Sequence, residues 1–384
     1  MEAAHATVAR PFGRPRRPFG RPRRAGGVAG WAYRAVRGSA RAVGRALDGG
    51  LSALPWSDAL PDLPEGGAAR EAALAALNGV VGDGLAADGN PLATPMHVRW
   101  AGRALPLDAA AIARAVPEPS DTLLVLVHGL CMHEGQWGDE AHDPGAALAE
   151  GLGATRLALR YNSGRHISEN GRDAAAALDA LVAAWPRPAR RVVIVGHSMG
   201  GLVARSALGV AADGGHRWLD LDVALVTLGS PHHGAPLERL GNGLDAALEA
   251  TRWGAPYARI GQVRSAGVTD LRYGSVHDED WAGWGRFARG PDRRRHVPIP
   301  DGVACYVVAA SLADGRGGLR DRTVGDGLVL LDSALGRHAD PARALSVPPE
   351  RQWVAAGTSH VGLLRSPAVT DQLLRWLTGP TPGR

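Results

Sequence analysis

The sequence predicts an α/β fold in which a mostly parallel central sheet is flanked by helices. After Pro95, short apolar runs such as residues 123–127 alternate with alanine-rich segments that favour helix. Runs that are apolar at every position are typical of strands buried on both faces, and the segments between them supply the covering helices. Strands that alternate with helices in this way favour a parallel sheet.

Eight short runs have the composition of strands, and we expect them to lie in one domain over residues 96–384. The first two are expected to form a hairpin about the turn Ala101-Gly102. The predicted strands are residues 96–100, 103–107, 123–127, 156–161, 192–195, 223–228, 303–308 and 352–355.

The gap between the sixth and seventh predicted strands is too long for a simple connection. We expect residues 231–300 to form a helical lid insertion that also shapes a binding pocket, and Trp281 and Trp284 are its candidate substrate-binding residues. Aromatic side chains on a mobile cover would meet a hydrophobic substrate, whereas the same side chains packed together would form the lid's own small core. Both interpretations stay open for its aromatic residues, which are Trp253, Tyr257, Trp281, Trp284 and Phe287.

The region before the sheet has two parts. Residues 1–25 contain a perfect tandem repeat of Pro-Phe-Gly-Arg-Pro-Arg-Arg, and we expect this Arg/Pro-rich leader to be disordered. Residues 26–95 are expected to hold a basic amphipathic helix, a proline-rich linker and a short helix over residues 68–77. The amphipathic helix would either dock on the protein or lie on an anionic membrane. The leader would be a dispensable extension, an anchor on an anionic surface or a nucleic-acid arm.

Composition excludes several classes of protein. With 45% hydrophobic and 21% charged residues the chain is globular, and no run approaches the ~18 apolar residues of a transmembrane segment. All 43 basic residues are arginine, and eleven of them with one acid lie in residues 1–45, so that segment carries +10 and the rest −5. The body of the chain therefore gives no reason to expect nucleic acid. The two cysteines, Cys131 and Cys305, exclude a disulfide framework.

The basic leader is not followed by an apolar stretch, so no signal peptide is recognisable. We therefore expect a cytoplasmic protein. Peripheral contact with an anionic membrane through the basic helix is the alternative that its charge favours.

The strongest chemical signal is the pentapeptide Gly196-His197-Ser198-Met199-Gly200. A strand is expected directly before it, and a helix over residues 202–208 directly after it. In a strand-to-helix turn, Gly-x-Ser-x-Gly holds the serine in a strained conformation with its hydroxyl projecting above the sheet. This position predicts that Ser198 is a nucleophile.

A serine hydroxyl needs a base to take its proton and a third group to orient that base. The acid and the base are expected to follow the serine along the chain. Asp326, in a Gly-Asp-Gly segment after the seventh strand, is the candidate acid, and His360, after the eighth strand, is the candidate base. The competing residues are Asp314, Asp321 and Asp332 for the acid and His296 and His338 for the base.

Negative charge that develops on a substrate oxygen needs preorganised backbone donors. The candidates are the amides of Met199, directly after the nucleophile, and of Leu130, in the loop after the third strand. His128 precedes the serine in the chain, which favours a loop-shaping role over a catalytic one. Cys131 is expected to be a small apolar loop residue.

These motifs together resemble the lipase and esterase branch of the α/β-hydrolases. Over residues 96–377 the chain is similar to bacterial triacylglycerol lipases and, more loosely, to GPI inositol-deacylase-like esterases. The resemblance implies an α/β-hydrolase fold, a catalytic triad of Ser198, Asp326 and His360, and an oxyanion hole formed by Leu130 and Met199. It also makes His232 and His233, in the loop after the sixth strand, candidate substrate-binding residues. The motifs are His128-Gly-Leu, Gly-His-Ser198-Met-Gly-Gly, Gly229-Ser-Pro-His-His-Gly-Ala-Pro, Gly325-Asp-Gly-Leu-Val and Ser359-His360.

The resemblance further implies a serine esterase or lipase of lipid metabolism, which cleaves a hydrophobic ester through an acyl-enzyme. Acyl transfer on the same site is one alternative, and a non-catalytic binding protein anchored by its basic N-terminus is another. Several of the lipases hold calcium through an aspartate two residues after the catalytic histidine, where this chain has Gly362. We therefore expect no equivalent metal site and no cofactor.

Overall fold

The structure is a computed structural model that describes residues 67–235, 264–287, 291–313 and 325–379. Within these ranges the chain forms an eight-stranded sheet with helices on both faces. The expected leader and amphipathic helix, residues 1–54, lie outside the described residues. No helix within the described ranges is long and apolar enough to cross a bilayer.

The sheet is mixed and mostly parallel, as its apolar runs predict. Its strands lie in the order β2-β1-β4-β3-β5-β6-β7-β8. The first strand is antiparallel to both of its neighbours, β2 and β4, whereas every other adjacent pair is parallel. The strands are β1 His97–Trp100, β2 Arg103–Ala104, β3 Thr122–Val127, β4 Thr155–Arg160, β5 Arg191–His197, β6 Asp222–Leu228, β7 Ala304–Ser311 and β8 Gln352–Ala356. The predicted α/β class is confirmed.

The helices of the described residues begin and end at local sequence signals. For example, the Asp143 carboxylate accepts from the Ala146 amide at 3.0 Å, and Pro144 follows as the first helical residue. The α-helices are α1 Ala68–Ala87, α2 Ala109–Ala115, α3 Pro144–Leu152, α4 Ile167–Ala184, α5 Met199–Gly214, α6 Ala266–Asp270, α7 Leu331–Ala334 and α8 Pro367–Thr378.

Two hydrophobic cores lie on opposite faces of the sheet. Because successive side chains of a strand point to opposite faces, the fully apolar strand β3 contributes to both cores. Leu123 and Val125 pack in the core that includes residues of α4 and α5. Leu124 and Leu126 pack in the core that includes residues of α3 and α8. Burial on both faces is the physical reason for the unbroken apolar run.

Several elements differ in length from the sequence prediction. Helix α5, expected over residues 202–208, spans Met199–Gly214, and β7, expected to end at residue 308, ends at Ser311. Strand β2 ends at Ala104 instead of residue 107, although the Leu105 amide still donates to the Val98 carbonyl at 2.8 Å. Helix α1 extends ten residues beyond the expected end at residue 77. The pair Asn78-Gly79 has the composition of a helix stop, yet the Asn78 side chain donates to the carbonyls of Leu74 and Leu92, both at 2.9 Å, inside the continuing helix.

The expected lid insertion lies only partly within the described residues. Its described portions contain the five-residue helix α6 and a single turn over Asp278–Asp280, so they are mostly irregular. Trp253 and Tyr257 lie outside the described residues. A division of the chain into leader, N-terminal region and domain stays a prediction.

Parallel strands bring their carboxyl ends to one edge of the sheet, where ligands bind in open α/β folds. The register aligns His197 with Leu228 and Leu228 with Val308, so β5, β6 and β7 end close together. The loops that follow these strands, with those after β3 and β8, carry every candidate catalytic residue.

Candidate active site

Ser198 forms a sharp turn between strand β5 and helix α5. Its backbone has φ 54° and ψ −123°, a conformation that strains any residue with a Cβ. The Ser198 amide donates to the Leu228 carbonyl at 2.8 Å, which ties the turn to the end of β6. A Cβ on Gly200 would lie 2.2 Å from the Val127 carbonyl oxygen, so glycine is needed for the helix to pack against β3. This is the nucleophile-elbow geometry that the pentapeptide predicts.

His360 and Asp326 are held together by a hydrogen bond. The His360 Nδ1–H donates to Asp326 Oδ2 at 2.6 Å, and both side chains are buried. The other carboxylate oxygen, Oδ1, accepts from the amides of Leu328 and Val329 at 2.9 and 2.8 Å. The carboxylate is therefore fixed by its own turn, and it orients the imidazole with the proton on Nδ1.

Gly229 joins this pair to the nucleophile turn. It follows β6 directly and has φ 61°, and its amide donates to the Val308 carbonyl at 2.8 Å. A Cβ at this position would lie 3.1 Å from His360 Nδ1 and 3.2 Å from Asp326 Oδ2. Leu228, the preceding residue, accepts a hydrogen bond from the Ser198 amide. Two consecutive residues at the end of β6 therefore contact the serine and the histidine.

No hydrogen bond joins the Ser198 hydroxyl to His360 within the described part of the chain. Such catalytic contacts are often long before a substrate binds and shorten in the reacting complex. The structure thus brings His360 and Asp326 into contact, and the end of β6 links this pair to Ser198 through Leu228 and Gly229.

The two candidate oxyanion donors lie around Ser198. A Cβ on Gly129 would lie 3.2 Å from the Ser198 Cβ, so the loop after β3 packs directly against the nucleophile, and Leu130 is its next residue. The Leu130 amide makes no hydrogen bond to any described residue. Met199 is the first residue of α5, where the amides of an α-helix have no partner within the helix. Both amides are therefore free to donate to a developing negative charge.

His197, the second residue of the pentapeptide, contacts the candidate base. Its Nε2–H donates to the His360 backbone carbonyl at 3.1 Å, and the two rings lie 4.8 Å apart. Burial and, to a smaller extent, the neighbouring His360 lower the pKa of His197 to about 3, so the ring is neutral. The sequence predicts no role for His197, because no pattern within the pentapeptide shows where its side chain points.

His128 is engaged within the protein at both ring nitrogens. Its Nδ1–H donates to the Gly129 carbonyl at 2.9 Å, and Nε2 accepts from the Tyr161 amide at 3.4 Å. The ring stacks on Tyr161 at 4.2 Å, and the Tyr161 hydroxyl donates to the His128 carbonyl at 2.7 Å. Burial lowers the pKa of His128 to about 4. These contacts shape the loop that holds Gly129 and Leu130.

His232 and His233 have different environments. The ring of His232 is completely buried, with Nδ1 accepting from Arg205 and Nε2 donating to the Thr227 hydroxyl, both at 3.2 Å. Burial lowers its pKa well below the usual range. His233 is half-buried, its amide donates to the Ser333 hydroxyl at 3.0 Å, and burial lowers its pKa to about 4. A substrate-binding role stays a prediction for both, and only His233 has exposed surface to meet a ligand.

Trp281 and Trp284 line a cavity of about 150 Å³ whose walls include none of Ser198, Asp326 and His360. Trp281 stacks on His166 at 3.7 Å and donates through Nε1 to the Ser168 hydroxyl at 2.9 Å, so it packs against the start of α4. Trp284 is 56% exposed. Packing suits Trp281, whereas the Trp284 ring is partly covered by the Arg293 guanidinium at 4.4 Å. A substrate-binding role stays a prediction for both tryptophans.

None of the competing acids and bases that the structure describes forms a hydrogen bond with His360 or Asp326. Asp332 and His296 are exposed, and the His338 ring lies 4.9 Å from that of His233. Asp314 and Asp321 lie outside the described residues. Burial raises the pKa of Cys131 to about 12, so this residue is a neutral thiol rather than a nucleophilic thiolate.

Among the described residues, no cluster of His, Cys, Asp and Glu has the composition of a metal site. That the protein has no calcium site equivalent to that of the lipases and needs no cofactor stays a prediction.

The chain is similar to known hydrolases. Residues 164–288 match the family model of the PGAP1-like alpha/beta domain, which confirms the expected resemblance over a segment that contains Ser198. No curated protein sequence matches the chain. The mature Bacillus licheniformis lipase BlEst2 is 20% identical, with 68% of this chain and 93% of that chain aligned at a TM-score of 0.43. The Pyrococcus furiosus esterase Pf2001 is 15% identical, with 67% and 84% aligned at a TM-score of 0.36.

Proposed function

We propose, on the premise that the chain is an α/β-hydrolase with a PGAP1-like alpha/beta domain, that it is a serine hydrolase that cleaves carboxylic esters. The observation that carries the proposal is the 2.6 Å hydrogen bond from His360 to Asp326, packed against Gly229. With its proton held on Nδ1, the imidazole leaves Nε2 as the basic nitrogen. Ser198, in its strained turn, supplies the hydroxyl.

In the proposed reaction, Nε2 of His360 takes the proton of the Ser198 hydroxyl as the oxygen attacks the ester carbonyl carbon. The carbonyl oxygen becomes an oxyanion, which the amides of Leu130 and Met199 stabilise. The bond to the alcohol oxygen then breaks, and His360 gives its proton to the leaving alcohol. Water repeats the sequence on the acyl-serine with the same base, and the carboxylic acid is released.

We further propose that the substrate is a hydrophobic, lipid-like ester and that the segment 231–300 forms the lid. The exposed aromatic ring of Trp284 supports this, because exposed apolar surface on such a segment suits a protein that meets apolar substrate. In this proposal the lid determines which acyl chain lengths the site accepts. The preference is measured by comparing the rates of hydrolysis of p-nitrophenyl esters with acyl chains of increasing length.

The nucleophile is tested by labelling with a fluorescent phosphonate ester, which reacts with activated serines. We expect the wild-type protein to be labelled and Ser198→Ala to be unlabelled while it keeps the wild-type thermal unfolding temperature. Ser206→Ala is a matched control, since Ser206 is a buried serine of α5 that donates to the Val276 carbonyl at 2.7 Å. Equal labelling of wild type and Ser198→Ala would overturn the assignment of Ser198.

A further inference from the structure

Helix α1 lies before the sheet and outside the segment that matches the PGAP1-like domain, yet its backbone contacts the loop that carries Leu130. The residues of α1 that are fully buried are Asn78, Gly79 and Gly82. Two of the three are glycines, so the buried face has almost no side-chain volume. A helix surface of this kind allows another backbone to approach closely.

Gly79 contacts Cys131, the residue after Leu130. A Cβ on Gly79 would lie 2.2 Å from the Cys131 Sγ and 2.9 Å from both the Cα and the amide nitrogen of Cys131. Two of these three atoms are backbone, so no rotation of the Cys131 side chain would make the space. Cys131 also has φ 59°, a strained value for a residue with a Cβ, which the surrounding contacts maintain.

The same helix contacts the loop after β4. Asn162 donates through Nδ2 to the Gly82 carbonyl at 2.7 Å, and its Oδ1 accepts from the Gly164 amide at 3.0 Å. Ser163 lies between Asn162 and Gly164 in the chain. Its hydroxyl oxygen accepts a hydrogen bond from the Cys131 amide at 3.1 Å. Helix α1 and this loop therefore hold Cys131 from two sides.

The helix is in turn fixed to the described part of the insertion. The Ser265 hydroxyl donates to the Gly79 carbonyl at 2.6 Å, and the Ala266 amide donates to the Asp83 carboxylate at 3.0 Å. Arg286 pairs with the same carboxylate. These bonds prevent α1 from moving away from Cys131.

We propose that α1 positions the Leu130 amide of the oxyanion hole, with Gly79 as the positioning residue that acts through Cys131. Gly79 fixes Cys131 in its left-handed conformation at one end of Leu130, and Gly129 packs against Ser198 at the other end. The peptide between Gly129 and Leu130, which carries the Leu130 N–H, is therefore held from both sides. The Gly129 end of the same loop packs on Ser198, so the contact with α1 sets the distance from the Leu130 N–H to the substrate oxygen. The role rests on the proposed serine hydrolase function.

The test is Gly79→Ala against Gly84→Ala. Both substitutions add one methyl group to α1, but a Cβ on Gly84 meets no atom within 4 Å. We expect Gly79→Ala to lower kcat about 10²-fold with little change in KM, as a displacement near 1 Å does in a preorganised site. Gly84→Ala should keep wild-type kcat and gain helix stability, since alanine favours helix over glycine.

Two further measurements separate positioning from loss of folded protein. A trifluoromethyl ketone forms a serine hemiketal whose oxygen is negatively charged, so its inhibition constant should rise in Gly79→Ala by about the factor lost in kcat. Rates are expressed per phosphonate-labelled site, which counts folded enzyme alone.

Equal kcat per labelled site in Gly79→Ala and Gly84→Ala would overturn the positioning role. If the wild-type protein takes no phosphonate label, the hydrolase proposal fails. Hydrogen exchange then tests whether α1 holds the loop that carries Leu130. Faster exchange of the amides of residues 129–132 in Gly79→Ala than in Gly84→Ala would show that α1 holds this loop. Unchanged exchange would contradict it.

Discussion

The Nε2–H of His197 donates to the backbone carbonyl of His360 at 3.1 Å, so the residue before the proposed nucleophile holds the proposed base. His197 is the last residue of β5, whereas His360 lies in the loop after β8. The hydrogen bond therefore joins the end of β5 to the loop after β8. It fixes the backbone from which the imidazole of His360 projects. Asp326 fixes the other end of the same residue, through Nδ1.

We expect His197→Leu to lower kcat about tenfold with little effect on KM, because the freed His360 backbone lets the imidazole leave its attacking geometry. His197→Gln, whose amide reaches the same carbonyl, should retain more activity than His197→Leu. Steady-state kinetics of both variants with a soluble short-chain ester give the comparison. Wild-type kcat in His197→Leu would show that this hydrogen bond does not position the base.

Asp326→Asn should lower kcat on the order of 10³-fold or more. Because Oδ1 already accepts two amides, the asparagine oxygen stays there and its NH₂ group faces His360 Nδ1. The imidazole must then carry its proton on Nε2, where it cannot accept one from Ser198. Asp332→Asn, at an exposed competing acid, is the control and should keep full activity. Full activity in Asp326→Asn would direct attention to Asp332 and Asp321.

Buried neutral histidines make the stability of the fold depend on pH. Burial lowers the pKa of His128 to about 4 and that of His197 to about 3, whereas both titrate near 6.5 in the unfolded chain. Below about pH 6.5 the unfolded state thus binds more protons, and the free energy of unfolding falls with falling pH. Each histidine contributes at most about 1.4 kcal/mol per pH unit.

Urea unfolding measures this pH dependence. The free energy of unfolding should be level above about pH 7 and decrease from about pH 6 toward pH 4. His128→Gln should reduce the slope in that interval. A flat profile across it would mean that these rings are solvated in the folded protein.

Deleting residues 1–54 should leave hydrolysis of a soluble short-chain ester intact, since every proposed catalytic group lies beyond Val127. Binding to anionic vesicles should fall, because each arginine near such a surface contributes about 1 kcal/mol. The binding should weaken with added salt, which screens charge beyond about 8 Å at physiological ionic strength. Vesicle co-sedimentation of both proteins provides the measurement. A joint fall in thermal stability and activity would instead show that the amphipathic helix docks on the domain.

The central strands of the sheet were predictable from the sequence because they are buried on both faces. Runs such as Leu123, Leu124 and Val125 have no polar position, and this leaves few alternatives to a parallel strand. The strained turn at Ser198 was likewise predictable, because such a turn between a strand and a helix requires small residues close together in the sequence.

Contacts between distant segments were not predictable. The role of Gly79 depends on Cys131, 52 residues later, and in the sequence alone Asn78-Gly79 is a helix stop. The hydrogen bond from His197 to His360 also depends on the order of the strands in the sheet. A side chain whose partner is determined by tertiary packing has no recognisable pattern in the neighbouring sequence. Turns and strands do have such patterns.

Strand β8 is an edge strand, and His360 follows its last residue by four positions. It pairs only with β7 among the described strands, and Val354 and Ala356 are exposed. Edge strands open at lower free-energy cost than central ones, so local unfolding starts there more readily than at β5. Catalysis would therefore cease through the detachment of its base while the serine turn and most of the sheet remained native. The lifetime of the active enzyme would be set by fraying of one strand rather than by global unfolding.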